Sequence, residues 1–186
     1  MKRKVLKGIY AITPDGLKEE ILLRKVSFLL KKGISLVQYR DKNNNKDQKL
    51  KLARELQKIC SDFDSTFIIN DDPLLAKEAK ADGVHLGQND ISYKKGRDLL
   101  GPEAIIGISC QNNLELALKA ESEGANYVSF GSIYPTKTKS NTVECSTAQL
   151  RSFVKQITIP CVAIGGITFD NLHEVSSTGV NIFAMS

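Results

Sequence analysis

Residues 66–74 read Thr-Phe-Ile-Ile-Asn-Asp-Asp-Pro-Leu, an apolar run that ends in a polar tip and a helix start. Thr66–Asn70 predicts a strand buried on both faces, because such strands are nearly continuous apolar runs. Asp72 followed by Pro73 predicts the beginning of a helix, since a carboxylate caps the first backbone N–H groups and proline suits the first helical position. The segment is therefore interpreted as a strand, a polar tip and a helix.

Seven further apolar runs share this layout, and each ends in polar or glycine-rich residues: Ile9–Thr13, Leu36–Arg40, Gly83–Gly87, Ile105–Ser109, Tyr127–Gly131, Cys161–Gly166 and Asn181–Ser186. Apolar positions at helical spacing fill the gaps between them. Strands that alternate with helices predict a parallel sheet. Eight of them favour closure into a (β/α)8 TIM barrel, with an open doubly wound sheet as the main alternative. Function in such a barrel is expected at the strand tips.

Several helix ends are marked in the sequence. Gly124 is expected to end the helix after the fifth strand, as a C-terminal glycine. Ser146 or Thr147 is expected to cap the next helix, and Thr168 to cap a short helix after strand 7.

Length and composition indicate one domain over residues 1–186, although this barrel usually needs about 250 residues. The chain is 41% hydrophobic and 25% charged, with a net charge of +5. This balance suits an anionic, phosphorylated substrate. The basic N-terminal cluster is interpreted as a solvated tail, and no recognisable nucleic-acid motif accompanies it. No apolar stretch approaches the length of a membrane span, which is roughly 20 residues.

The cysteines argue against a zinc site, because Cys60, Cys110, Cys145 and Cys161 include no C-x-x-C spacing. Buried thiols are expected rather than disulfides. Together with the lack of a signal-peptide apolar region, this predicts a reduced, cytoplasmic location.

The second strand tip carries candidate anion-binding residues. Strand alternation puts Gln38, Arg40 and, if the strand extends, Lys42 on one side. An arginine fork and a lysine point charge there suit a phosphate. A salt-bridged rim is the alternative.

Two carboxylates follow neighbouring strands 3 and 4. Asp72 is expected to cap its helix, which leaves Asp71 and Asp90 as candidate metal ligands. Mg²⁺ typically takes one or two protein carboxylates and completes its shell with water and substrate phosphates. The alternative is that both residues are caps or loop residues.

The later tips suggest a second anion site. Ser109 ends strand 5 as a hydrogen-bond donor, and the loop after strand 6 holds Thr136, Thr138 and lysines that suit a phosphate. Gly165 and Gly166 after strand 7 let a phosphate approach the backbone. The alternatives are a flexible basic loop and a tight turn.

The histidines and tyrosines suggest no catalytic base. His85 is expected to form structural hydrogen bonds and His173 to be exposed, while Tyr10 and Tyr39 are predicted mainly for core packing. We see no Ser-His-Asp set and no obvious nucleophile. Departure of a metal-bound pyrophosphate would need neither.

In combination, these tips resemble the thiamine phosphate synthase family across nearly the whole chain. The motifs are Gln38-x-Arg40-x-Lys42, Asn70-Asp71, Gly87-Gln88-x-Asp90, Gly107-Ile108-Ser109, Pro135-Thr136-x-Thr138-Lys139 and Gly165-Gly166-Ile167. The resemblance implies a Mg²⁺-dependent transferase that joins a hydroxymethylpyrimidine diphosphate to a thiazole phosphate. Pyrophosphate leaves, a pyrimidine methylene cation forms, and the thiazole nitrogen attacks it.

The resemblance also implies the roles of individual residues. One Mg²⁺ per subunit is implied at Asp71 and Asp90, and catalytic roles at Arg40, Lys42, Ser109 and Lys139. The full set expected to bind the two substrates is Gln38, Tyr39, Arg40, Asp41, Lys42, Asn70, Ser109, Thr136, Lys137, Thr138, Lys139, Gly166, Met185 and Ser186.

Two departures from the family pattern stand out. Gln111 occupies a position where many relatives have histidine, and the chain lacks the closing helix that relatives have after strand 8. Two alternatives therefore stay open: an isomerase like the thiazole tautomerases, and a non-catalytic phosphate-binding barrel. The expected partners are two phosphorylated small molecules, with neither nucleic acid nor membrane, and a homo-oligomer is left open.

Overall fold

The computed structural model describes residues 6–136 and 143–186, and within these ranges eight strands alternate with seven helices. The strands are β1 (Gly8–Ile12), β2 (Leu36–Tyr39), β3 (Thr66–Asn70), β4 (Gly83–Leu86), β5 (Ile105–Ser109), β6 (Tyr127–Phe130), β7 (Cys161–Ile164) and β8 (Ile182–Met185). The helices are α1 (Glu19–Lys31), α2 (Lys46–Asp62), α3 (Pro73–Glu78), α4 (Tyr93–Leu100), α5 (Leu114–Glu123), α6 (Thr147–Val154) and α7 (Leu172–Ser176).

The strands form a closed parallel barrel in chain order, and β8 pairs with β1. The predicted (β/α)8 barrel is confirmed, and the open doubly wound sheet is excluded. Because all strands are parallel, their carboxyl ends meet at one mouth. The polar tips predicted from the sequence therefore converge there.

Two apolar cores hold the barrel together. The larger core lies between the strands and the helices and includes Val37, Phe67 and Leu56. The smaller core gathers the residues that point into the barrel, among them Tyr10 and Tyr127. Adjacent strand residues alternate between the two cores, which fixes which side chains reach the mouth.

The helix ends follow the sequence in three cases out of four. The side chain of Asp72 caps α3, Ser146 caps α6 in a reciprocal capping box with Gln149, and Gly124 ends α5 with a φ of 97°. The prediction for Thr168 is wrong. Its backbone nitrogen donates to the side chain of Asn171, which precedes α7.

All four cysteines are buried, and none forms a disulfide in the described ranges. None of the helices in the described residues is long and apolar enough to cross a membrane.

Candidate active site

A cavity of about 350 Å³ opens at the carboxyl ends of the strands. Strand tips from around the barrel contribute to its wall. Of the residues expected to bind substrates, eight line this cavity: Gln38, Arg40, Asn70, Ser109, Thr136, Gly166, Met185 and Ser186. Residues Lys137, Thr138 and Lys139 lie outside the described residues.

Arg40 is held at the cavity wall by the loop after β1. Its Nη1 pairs with Asp15 Oδ2, and its backbone exchanges hydrogen bonds with the Thr13 hydroxyl at 2.9 and 3.0 Å. Only 10% of the Arg40 side chain is exposed, and its buried Nε has no hydrogen-bond partner among the described residues. A cation fixed in this way at the cavity wall is suited to an incoming anion.

Asp15 is a site residue that the sequence analysis missed. Besides pairing with Arg40, it accepts a hydrogen bond from the Lys42 backbone nitrogen at 2.9 Å. It thus joins the two candidate phosphate-binding residues. The only signal in the sequence was its position after the first strand, beside Pro14 and Gly16.

Lys42 and Asp71 lie close in sequence to the cavity-lining residues Arg40 and Asn70 but do not line the cavity themselves. Lys42 Nζ lies 2.6 Å from Asp71 Oδ2. Asp71 follows β3 in the left-handed conformation, with a φ of 64°, and its backbone nitrogen donates to the His85 carbonyl at 2.8 Å. Aspartate tolerates this conformation better than most residues. The turn directs Asp71 toward Lys42 and not toward the helix that Asp72 caps.

Asp90 lies close enough to Asp71 for the two carboxylates to influence each other. Partial burial raises the pKa of Asp90, and the negative charge of Asp71 raises it further. A hydrogen bond from the Gly87 backbone nitrogen, at 2.7 Å, opposes this effect. Two like charges in partial burial are stabilised by a cation between them.

The carboxylate pair fits a hard divalent cation. Lys42 Nζ already supplies positive charge to Asp71, and carboxylate oxygens are the ligands that Mg²⁺ prefers. In the described part of the chain, no cluster contains three or more potential metal-ligating side chains. Asp71 and Asp90 could therefore hold a cation whose remaining ligands are water and phosphate oxygens, as is common for Mg²⁺.

Tyr39 and Asp41, which the family resemblance implies as substrate-binding residues, do not line the cavity. Tyr39 is 2% exposed and points into the outer core, because alternation along β2 turns it away from Gln38 and Arg40. Its hydroxyl donates to Asp41 at 2.7 Å. Asp41 also accepts from the backbone nitrogens of Asn43 and Asn44, at 2.9 and 3.0 Å. Both residues build the loop that carries Lys42.

The loops after β6 and β7 touch at the opposite side of the cavity. Tyr134 N donates to Gly165 O at 3.0 Å, and a Cβ on Gly165 would lie 2.1 Å from Ser132 Oγ. Gly166 has a φ of 60°, and its carbonyl accepts from Asn171 Nδ2 at 2.9 Å. Both glycines are needed for this packing, so a structural requirement accounts for them and the tight-turn alternative stays open.

The remaining predicted polar residues also take part in the architecture of the mouth. Gln88 Nε2 donates to the Ser109 carbonyl at 2.6 Å, which ties the loop after β4 to the end of β5. Gln111 lines the cavity with a φ of 54°. His85 forms the expected structural hydrogen bond, with Nδ1 3.1 Å from Tyr127 Oη, and His173 is exposed.

Fold and site together define a class: a (β/α)8-barrel enzyme whose mouth offers cations to an anionic ligand. Comparison with known proteins makes this specific. Residues 9–186 match the family described as thiamine monophosphate synthase. The chain is 45% identical over 181 residues to the thiamine-phosphate synthase of Nitrosococcus oceani, across 97% of this chain and 83% of that protein.

Two further relatives agree. The thiamine-phosphate synthase of Methylococcus capsulatus is 43% identical over 178 residues, across 96% of this chain and 80% of that protein. The solved thiamine phosphate pyrophosphorylase from Pyrococcus furiosus superposes with a TM-score of 0.84 at 33% identity, across 97% of this chain and 85% of that one. The chain therefore belongs to the thiamine monophosphate synthase family, and it is a transferase of thiamine biosynthesis.

Proposed function

We propose that the chain joins 4-amino-2-methyl-5-(diphosphooxymethyl)pyrimidine to 4-methyl-5-(2-phosphoethyl)thiazole, with Mg²⁺, to give thiamine phosphate and pyrophosphate. The observation that carries the proposal is that Asp15 contacts both the Arg40 side chain and the Lys42 backbone. Asp15 therefore connects Arg40 at the cavity wall to Lys42, and Lys42 is paired with Asp71. Two cations and a metal-ligating carboxylate connected in this way suit a metal-bound diphosphate.

The two substrates would occupy opposite sides of the cavity. Gln38, Asn70 and Ser109 would bind the pyrimidine diphosphate together with Arg40 and Lys42. The thiazole phosphate would lie on the other side, where the loops after β6 and β7 meet. The residues proposed to bind it are Thr136, Gly166, Met185 and Ser186. The family resemblance adds Lys137 and Thr138 to this set and assigns Lys139 to the pyrimidine diphosphate.

In the proposed step, the bond between the pyrimidine methylene carbon and the diphosphate oxygen breaks, and the electron pair leaves with pyrophosphate. The lone pair of the thiazole nitrogen then forms the new carbon–nitrogen bond. Arg40 and Lys42 would neutralise the charge that develops on the leaving oxygen. When bound, Mg²⁺ would add to this neutralisation.

The proposed step needs no side-chain nucleophile. The described residues that line the cavity include neither an acidic side chain nor a cysteine, and its side-chain hydroxyls are those of Ser109, Ser129, Ser132, Thr136, Thr168 and Ser186. His85 is engaged by Tyr127 at Nδ1 and faces Ser129 with Nε2, at 3.4 Å. Since the leaving group carries its own charge away, no side chain has to give or take a proton.

A pyrophosphate-release assay tests the function. We expect release only when both substrates and Mg²⁺ are present, and loss of release when a chelator removes the metal. The pyrimidine diphosphate alone and the thiazole phosphate alone are the matched controls. Folded protein that releases no pyrophosphate with both substrates would contradict the proposal, as would undiminished release in the chelator.

Isotope exchange tests the order of bond changes. The oxygen that joins the methylene carbon to the α-phosphorus of the pyrimidine diphosphate is labelled with ¹⁸O. The unreacted substrate is then recovered and examined by ³¹P NMR. If the carbon–oxygen bond breaks before the thiazole attacks, the label scrambles into non-bridging positions. Turnover with no scrambling, even when the thiazole phosphate is scarce, would favour direct displacement instead.

The compartment belongs to the same proposal. We place the enzyme in the cytoplasm, which the four buried thiols support, because such thiols persist in a reducing environment. Fractionation of cells that express the chain tests this location.

A further inference from the structure

A chain of hydrogen bonds crosses the inside of the barrel beneath the cavity. Gln38 Nε2 lies 2.7 Å from Tyr10 Oη, and Tyr10 Oη lies 2.9 Å from Tyr127 Oη. Tyr127 Oη is 3.1 Å from His85 Nδ1, and His85 Nε2 is 3.4 Å from Ser129 Oγ. Gln38, His85 and Ser129 line the cavity, whereas both tyrosines are 1% exposed and lie below it.

This chain has a direction. An amide nitrogen only donates hydrogen bonds, so Gln38 Nε2 donates to the Tyr10 hydroxyl. In the described part of the chain, Tyr127 is the one further hydrogen-bond partner of the Tyr10 hydroxyl, so Tyr10 donates to Tyr127. Tyr127 in turn donates to His85 Nδ1, which must then be unprotonated. A neutral imidazole in that state has its proton on Nε2, on the side of Ser129.

The two tyrosines are suited to this task because they stay protonated. Burial raises the pKa of Tyr10 and of Tyr127 well above the ordinary value for a phenol. Each hydroxyl therefore keeps the proton with which it donates a hydrogen bond to the next residue. A buried chain of hydrogen bonds is more rigid than its separate bonds.

The ring of Tyr127 is built into its place. A Cβ on Gly107 of β5 would lie 2.0 Å from Tyr127 Cζ, so only glycine leaves room for the ring. The ring stacks on His85, with centroids 5.5 Å apart and planes at 12°. It meets the Tyr10 ring edge to face, at 6.0 Å and 82°. These contacts fix the hydroxyl between Tyr10 and His85.

The direction of these hydrogen bonds decides which atom of the Gln38 amide is available to a ligand in the cavity. Since Nε2 is committed to Tyr10, the amide oxygen Oε1 is the group left for a ligand. It has no hydrogen-bond partner among the described residues, although Gln38 lines the cavity. If the amide were reversed, the same position would offer N–H donors.

We propose that Tyr10, Tyr127 and His85 are positioning residues, which fix the Gln38 amide so that its carbonyl oxygen faces the cavity. The floor of the cavity then selects a ligand with an N–H donor, such as the amino group of an aminopyrimidine. The choice of ligand rests on the proposed function, whereas the direction of the chain does not.

Nitrogen NMR tests the direction on the protein without ligands or metal. The protein has two histidines, so ¹⁵N-histidine labelling gives signals from two imidazoles, and His173→Gln identifies those of His85. We expect His85 Nδ1 to be unprotonated and Nε2 protonated. In Tyr127→Phe, which removes the donor to Nδ1, we expect a mixture of both tautomers. A wild-type His85 with its proton on Nδ1 would overturn the proposal.

Tyr10→Phe distinguishes the effect on Gln38 from the effect on His85. It removes the partner of Gln38 but leaves the bond from Tyr127 to His85 Nδ1. We therefore expect a wild-type His85 spectrum from this variant. In both Tyr10→Phe and Tyr127→Phe, we expect the KM for the pyrimidine diphosphate to rise roughly fivefold to tenfold, the cost of about one hydrogen bond. The KM for the thiazole phosphate and kcat should change little.

Tyr93→Phe is the matched control. The Tyr93 hydroxyl donates to the Gly124 carbonyl at 2.8 Å, outside the barrel, so neither the spectrum nor either KM should change. Unchanged KM values in both barrel variants would overturn the positioning role. Absence of turnover in the wild-type protein would instead refute the proposed function, and the NMR result would still decide the direction of the chain.

Discussion

Lys42 Nζ lies 2.6 Å from Asp71 Oδ2, so a side chain proposed to bind phosphate is paired with one proposed to bind the metal. Each therefore shares its charge with the other before any ligand binds. A metal ion on Asp71 would replace the charge of Lys42 and release it toward the diphosphate. Binding of the metal and of the diphosphate should therefore be coupled.

We predict that Mg²⁺ raises the affinity of the wild-type protein for pyrophosphate by roughly tenfold or more, within the usual range of coupling between two ligands. Asp71→Asn should behave in the opposite way. Its Lys42 is released without metal, so pyrophosphate should bind more tightly than to metal-free wild type, and Mg²⁺ should add little. Titration calorimetry with and without Mg²⁺ measures both effects.

The control is Glu19→Gln, which breaks a different lysine–carboxylate pair, with Lys51, at 2.7 Å. It should leave the coupling intact. Equal pyrophosphate affinity of the wild-type protein with and without Mg²⁺ would contradict the exchange of partners at Asp71.

Asp15 should matter for stability as well as for the site. Asp15→Asn removes the charge that faces Arg40. The Arg40 side chain is 10% exposed, and its Nε has no hydrogen-bond partner in the described ranges. A buried charge left uncompensated is costly. We expect the free energy of unfolding to fall by roughly 1–3 kcal/mol in a urea titration. Glu19→Gln is again the control and should cost less than about 1 kcal/mol, because exposed ion pairs contribute little. An equal loss in both variants would argue against a special role for Asp15.

The strands and most helix ends could be predicted from sequence because their signals are local. An apolar run such as Thr66–Asn70 reports burial on both faces, and Asp72 with Pro73 reports a cap. The outward position of Tyr39 also follows from alternation, once Gln38 and Arg40 are known to face the cavity. Thr168 failed as a cap because Asn171, three residues later, competes for the same turn.

Long-range partners were beyond the reach of the sequence. Tyr10 and Tyr127 are 117 residues apart, and no pattern in either strand pairs their hydroxyls. Gly107 could be noticed in its strand, but the ring that needs its space belongs to β6. Asp15 likewise meets Arg40 only because the barrel brings the tips of β1 and β2 together. Contacts of this kind depend on how the strands pair in three dimensions, which a linear pattern does not encode.

Gly107→Ala tests the fit of the Tyr127 ring. The new methyl group would overlap the ring, and we expect the free energy of unfolding to fall by about 1–3 kcal/mol, as in other overpacked interiors. Gly96→Ala is the matched control. Its Cβ would meet only the flexible ends of Leu86 and Ile106, at 3.2 and 3.7 Å, and alanine favours the helix. Thermal denaturation of both variants measures the difference. If Gly107→Ala leaves the stability at the wild-type value, the ring can move aside and the fit is not required.

Asp41 should make the free energy of unfolding depend on pH. Partial burial alone would raise its pKa, but hydrogen bonds from Asn44, Tyr39 and Asn43 outweigh this and lower the pKa below the ordinary value of 3.8. A carboxyl whose pKa is lowered by folding stabilises the protein above its unfolded pKa. That contribution is lost as the pH falls through the lower, folded pKa.

We therefore expect Asp41→Asn to reduce the free energy of unfolding by roughly 1–2 kcal/mol at neutral pH, a value moderated by solvent screening at this partly exposed site. The difference from wild type should shrink as the pH falls below 3.8. Urea titrations across this range measure it. Because Asp41 builds the loop that carries Lys42, the KM for the pyrimidine diphosphate should rise together with the loss of stability, and the KM for the thiazole phosphate should change little. A large rise in either KM with unchanged stability would instead restore Asp41 as a substrate-binding residue.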